Sequence, residues 1–156
     1  MSAPSYIIAV PLLTIVAVAT FTDLRARRIP NALSLGGAAL GVLANATAFG
    51  STGVLLAVLG WVLCLVCFLP FYVTGGMAAG DVKLMATVGA FLGPLSGFVA
   101  CAVALMAGGS LGGLYMVVRR RAAAGAMLEK IPYALAIAVG ATAAVLQPAW
   151  VTALIN

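Results

Sequence analysis

Chemistry has few places to reside in this chain. Its 156 residues include only three acidic side chains and no histidine. That removes the usual general base of serine and cysteine hydrolases and the histidines of an H-E-x-x-H zinc site. Two of the acids, Asp23 and Asp81, stand at the ends of hydrophobic segments and not within polar loops. Each has an ordinary explanation. Asp81, between Gly80 and Val82, suits a helix N-cap, where a carboxylate accepts backbone N–H bonds and favours the helix dipole. Asp23 pairs with Arg27, four residues on, if its helix continues that far. The other reading is that the two acids meet. Two carboxylates in one shallow, partly dry site cannot both ionise readily, so one keeps a proton while the other stays charged. Hydrolysis of a peptide bond by acid–base catalysis needs that division: one carboxylate deprotonates a water, and the other donates to the carbonyl oxygen and then to the leaving amine. Spacing alone leaves both readings open.

The elements that must carry these residues are apolar. Hydrophobic residues make up 65% of the chain and charged ones 7%, with a mean hydropathy of +1.23, far from the balance of a soluble domain. Apolar segments run over about 6–22, 32–49, 54–73, 82–97, 98–118 and 132–155. A bilayer core of about 30 Å takes about 20 helical residues. The expectation is an all-α, polytopic membrane protein with about six transmembrane helices in a single domain, 1–156. The fourth segment, interrupted by Gly93, Pro94 and Gly97, is expected to be short or partly re-entrant. No basic residue precedes the first apolar run, so that run reads as a retained helix and not as a cleaved signal.

The charge of +5 reads as topology and not as a nucleic-acid surface, because the basic residues sit in short clusters between apolar segments. Those clusters are Arg25, Arg27 and Arg28; Lys83; and Arg119, Arg120, Arg121 with Lys130. All should face the cytoplasm, with the uncharged connections at 45–53 and 93–97 on the far side and both termini outside. Cys64 and Cys67 form a C-x-x-C inside an apolar run, with neither histidine nor a second pair to complete a metal or redox site. No metal and no cofactor are expected. Gly37 with Gly41, Gly108 with Gly112, and Gly109 with Gly113 have the small-xxx-small spacing of closely packed membrane helices.

The wording around the two acids is more specific than their spacing. Asp23-Leu24-Arg25-Ala26-Arg27-Arg28-Ile29-Pro30-Asn31 and Gly75-Gly76-Met77-Ala78-Ala79-Gly80-Asp81-Val82-Lys83-Leu84 resemble the prepilin peptidases, in particular their short Tad/Flp-type form. In that family the first aspartate follows the first membrane helix and precedes I-P-N, and the second ends a G-x-G-D followed by V-K-L. The resemblance implies a GxGD-type membrane aspartic protease with Asp23 and Asp81 as the catalytic pair. It would remove the leader of a prepilin or pseudopilin precursor at the cytoplasmic face of the bacterial inner membrane.

Gly76, Gly80, Lys83, Pro30 and Asn31 are expected to shape the site or to touch substrate. Lys83 also suits a plain positive-inside anchor, and Pro30 with Asn31 a helix start that aims Asp23. One departure stands out: the first glycine of G-x-G-D is Ala78 here, a strained choice if that position needs φ > 0. The longer bifunctional relatives carry a cytoplasmic zinc-binding insertion with two C-x-x-C pairs and also methylate the new N-terminus. Here the first connection is about nine residues without cysteine, so a peptidase lacking methyltransferase activity is expected. Two other classes fit the composition: a small ion- or proton-coupled transporter using Asp23 and Asp81, and a non-catalytic assembly subunit packing through its glycine faces.

Overall fold

The computed structural model describes residues 3–26, 29–121 and 133–146. Readings that rest on Arg27, Arg28, Lys130 or residues 147–155 lie outside them. The described residues are helical almost throughout, with no strand among them: α1 (Ala3–Ala26), α2 (Asn31–Val73), α3 (Ala79–Arg121) and α4 (Tyr133–Val145). Three stretches, Ile7–Ala26, Asn31–Val73 and Ala79–Gly112, are long and apolar enough to cross a membrane, and α4 is a shorter apolar helix. Leu55, Leu59, Val62, Val66 and Leu69 of α2 and Phe98 and Met106 of α3 are exposed, as lipid-facing side chains of a multi-pass membrane protein are.

The expectation of about six separate helices is not met. Among the described residues there are three long helices and a shorter one, because the connections expected at 45–53 and 93–97 each shrink to a single glycine. α2 and α3 are 43 residues long apiece, with non-helical backbone inside only at Gly50 (φ 62°, ψ −142°) and Gly93 (φ 74°, ψ −178°). Positive φ is the region only glycine reaches without strain, so helical hydrogen bonding resumes on either side without a loop. The bends are sharp. Residues eight apart on a straight helix are separated by about 12 Å, yet a methyl group on Gly97 would come within 3.3 Å of the Gly89 Cα. Gly53 likewise lies against the backbone of Asn45. α2 and α3 are therefore each two arms folded against one another.

The arm of α3 before Gly93 forms the core. Val82, Leu84, Met85, Ala86, Thr87, Val88, Ala90 and Phe91 are all buried along it. The first arm of α2 runs parallel beside it: Gly37 meets Thr87, and Gly41 meets Ala90 and Phe91. The second arm of α2 returns antiparallel, bringing Gly60 to Gly89 and Gly93. Leu12, Ile15, Val16 and Ala19 of α1 belong to the same buried cluster, and Gly140 of α4 seats against Ala100 and Ala104 in the second arm of α3.

A bend that breaks a helix leaves its last carbonyls without partners, a serious cost where no water is at hand. The buried Asn45 answers it. Its Nδ2 donates to the carbonyls of Ala90 (3.1 Å) and Phe91 (3.1 Å), and to that of Gly41 (3.0 Å). Asn45, expected in an outer connection, is instead a buried cap for the neighbouring arm.

Candidate active site

Asp23 lies in the last turn of α1 and Asp81 in the first turn of α3, so both aspartates are set by helix ends. Ahead of Asp81 the chain must stop α2 and start α3 within a few residues. It stops on a Schellman motif: the Gly76 N–H donates to the Phe71 carbonyl (2.8 Å) and the Gly75 N–H to that of Tyr72 (2.9 Å), with Gly75 left-handed at φ 77°. Gly76 thus closes α2. The left-handed residue of this approach is Gly75, three positions before Ala78.

α3 begins at Ala79, three residues earlier than an N-cap at Asp81 would require. Asp81 occupies the third helical position and reaches back, its Oδ2 accepting the Ala78 N–H at 3.3 Å. This is the acidic half of a capping box. It secures the carboxylate at the positive end of the helix dipole while leaving only 6% of the residue exposed. The Asp81 carboxyl lies within range of the Asp23 charge, and Asp23 is half-buried. The two acids therefore stand at the same end of the bundle.

The motifs that carry them are in direct contact. Gly80 packs on Ile29, whose Cβ would be 3.2 Å from a methyl group added at Gly80. Lys83 Nζ donates to Asn31 Oδ1 at 3.0 Å. One turn further on, Thr87 Oγ1 donates to the Ser34 carbonyl at 2.7 Å. Pro30 is the N-cap of α2, with extended backbone (φ −60°, ψ 134°) and no side-chain cap bond, and its carbonyl accepts from the N–H groups of Leu33 and Ser34. The Asn31 side chain therefore ties α2 to α3 and does not cap its own helix. Lys83 is exposed and held by that bond.

Two site neighbours escaped the sequence reading. Thr20, one turn before Asp23, donates to the Val16 carbonyl of its own helix at 2.8 Å, and its hydroxyl also lies 3.4 Å from the Ala134 carbonyl, which brings the start of α4 to the end of α1. The adjacent Tyr133 lies within range of the Asp81 charge. A polar aromatic opening the last apolar segment was the one available signal. No group of acidic and cysteine side chains suited to holding a metal ion occurs among the described residues.

The described residues form a helical bundle with lipid-facing flanks and two carboxylates at one end, the architecture of a multi-pass membrane protein. Residues 10–117 match the Type IV leader peptidase family, and the chain belongs to it. It is a prepilin-type peptidase, a protease embedded in a membrane. No curated protein and no solved structure matches the chain.

Proposed function

We propose that this protease is an aspartic endopeptidase in which Asp23 and Asp81 activate one water between them. The single observation that carries the reading is the buried Asp81 carboxyl within range of the Asp23 charge, held there by direct packing of Gly80 on Ile29. With one proton on the pair, the ionised carboxylate takes a proton from the water as its oxygen attacks the scissile carbonyl carbon. The protonated one gives its proton to the carbonyl oxygen, forming a tetrahedral diol. Collapse of the diol breaks the C–N bond as the amine gains a proton from the pair and a diol hydroxyl, becoming the new carbonyl, returns its proton to the pair, which is left with one proton as at the start.

The substrate we infer is a type IV, Flp-like prepilin, cleaved at the cytoplasmic face of the bacterial inner membrane. Arg25 and Lys83 stand at the same end of the bundle as the aspartates, the end the positive-inside rule assigns to the cytoplasm. With α2 and α3 each folded back on themselves, this reading puts both termini outside. The arm of α3 from Ala79 to the bend at Gly93 is short, about 20 Å at about 1.5 Å per residue. The enzyme acts as a peptidase without N-methyltransferase activity, and Gly80, Lys83, Pro30 and Asn31 shape the site.

The test is co-expression with an Flp-type prepilin and sizing of the product for wild type, Asp23→Asn and Asp81→Asn, with membrane insertion checked for each. Both substitutions should abolish processing. Cleavage that persists in either inserted variant rules the pair out.

A further inference from the structure

Among the described residues only four polar side chains are buried: Ser34, Asn45, Asp81 and Thr87. Asp81 belongs to the site and Asn45 caps the bend in α3; Ser34 and Thr87 meet across the interface between α2 and α3. The Thr87 hydroxyl lies between two carbonyls, that of Ser34 on α2 at 2.7 Å and that of Lys83 on its own helix at 2.9 Å. The shorter contact is the one between helices. The other branch of the same side chain meets the next turn of α2, its methyl carbon lying 2.8 Å from where a side-chain carbon at Gly37 would be. Threonine is stiff at χ1, so its two branches seat α3 against both Ser34 and Gly37 at one height. Gly37 also meets Ile15 of α1, whose side chain would come within 3.3 Å of the same added carbon. The helices that carry Asp23 and Asp81 therefore converge with α2 at this one position.

We propose that Thr87 is a positioning residue of the aspartate site, its hydroxyl on the Ser34 carbonyl fixing the height of α3 against α2 and with it the height of Asp81. This rests on the aspartate-pair reading above. From Thr87 to Asp81 is about 9 Å and from Ile15 to Asp23 about 12 Å, at about 1.5 Å per residue. Both stretches are unbroken helix, so a slip at Thr87 is carried whole to the Asp81 carboxyl. The rest of the interface defines that height less sharply. Gly41 against Ala90 and Phe91 is close packing, which has no preferred direction, whereas a hydrogen bond holds to a narrow range of distance and angle. The Lys83–Asn31 bond lies nearer the aspartates, but both its side chains are exposed, where water competes for the same groups. The Thr87 bond is buried and has no such competitor.

The experiment compares the full-length enzyme in detergent with Thr87→Val, Thr87→Ser, Gly37→Ala, Asn45→Ala and Asp81→Asn, measuring kcat and KM on a prepilin, the kcat–pH profile and the melting temperature. Thr87→Val keeps the shape and the methyl contact and removes only the hydroxyl. It should lower kcat about tenfold with KM unchanged, since a shift of about 1 Å can cost about 100-fold. It should also narrow the pH bell, because carboxyls moved apart couple less strongly. Thr87→Ser keeps the hydroxyl and should restore most of kcat. Gly37→Ala crowds the Thr87 methyl and should reproduce the fall. Asn45→Ala, at the far end of the arm, supplies the pattern of lost stability alone: a lower melting temperature with kcat kept. A wild-type kcat in Thr87→Val, or that same pattern in it, overturns the proposal, and so does a Thr87→Ser as slow as Thr87→Val. If Thr87→Val fails to insert, Gly37→Ala decides, and an unchanged kcat there overturns it. With Asp81→Asn inactive, each of these results leaves the aspartate pair standing. An active Asp81→Asn removes the pair itself, and this inference with it.

Discussion

Asp81 is a carboxylic acid kept almost out of water by a backbone N–H and the positive end of a helix, and each support depends on the length of its side chain. Asp81→Glu adds one methylene and moves the carboxyl off both the Ala78 N–H and its alignment with Asp23. Since a misplacement of about 1 Å can cost about 100-fold in rate, we expect kcat to fall by about that factor with little change in KM, as measured on purified prepilin. The pair also sets the pH dependence. Under the proposed mechanism activity requires one shared proton, so it should decline at low pH as both acids become protonated and at high pH as both ionise. The bell-shaped kcat profile would report the pair and not either residue alone. A flat profile across the whole range in which the enzyme stays folded would contradict shared-proton chemistry.

At the scale of elements, the site depends on how closely the start of α3 approaches the segment before α2. Gly80 has no room to spare against Ile29 at 3.2 Å. Gly80→Ala should force Ile29 aside and shift Asp81 relative to Asp23, lowering kcat several-fold while melting temperature moves little. Gly80→Val should be inactive. The opposite separation of effects is expected at the far end of the same arm. Asn45→Ala strands the Ala90 and Phe91 carbonyls, a cost of about 1–3 kcal/mol for buried polar groups left unpaired. Thermal unfolding in detergent should show the loss, and kcat of the protein that remains folded should hold, because the aspartates stand at the other end of the arm.

For the molecule as a whole, the buried first arm of α3 is the part on which α1 and both arms of α2 pack. Its amides should be the slowest to exchange with deuterium, with protection highest over residues 84–91. Equal protection on the exposed outer arm of α2 would contradict this order. Gly93, with φ 74° and ψ −178°, sits where a non-glycine residue costs about 1–3 kcal/mol. Gly93→Ala should therefore destabilise the fold and reduce processing through lost protein, leaving kcat per folded enzyme nearly intact.

By itself the sequence determined the solvent and pointed to the family. Apolar runs too long and too uncharged for water require helices in a bilayer. Two acids framed by I-P-N and by G-D-V-K-L pointed to a peptidase, because a signature residue keeps its neighbours in the chain wherever the fold takes it. What the tertiary structure decided was non-local. Gly50 and Gly93 read equally well as loop residues or as single-residue bends until the arms on either side are seen to touch. Asn45 reads as polar loop until the carbonyls it satisfies, about 45 residues away, are in place. The capping position of Asp81 hinged on where α3 begins, and the nearness of Tyr133 on α4 returning to α1. Local composition fixes which segments are helical, but which helix end meets which is set by packing between residues far apart in the chain, and no pattern along the sequence encodes that.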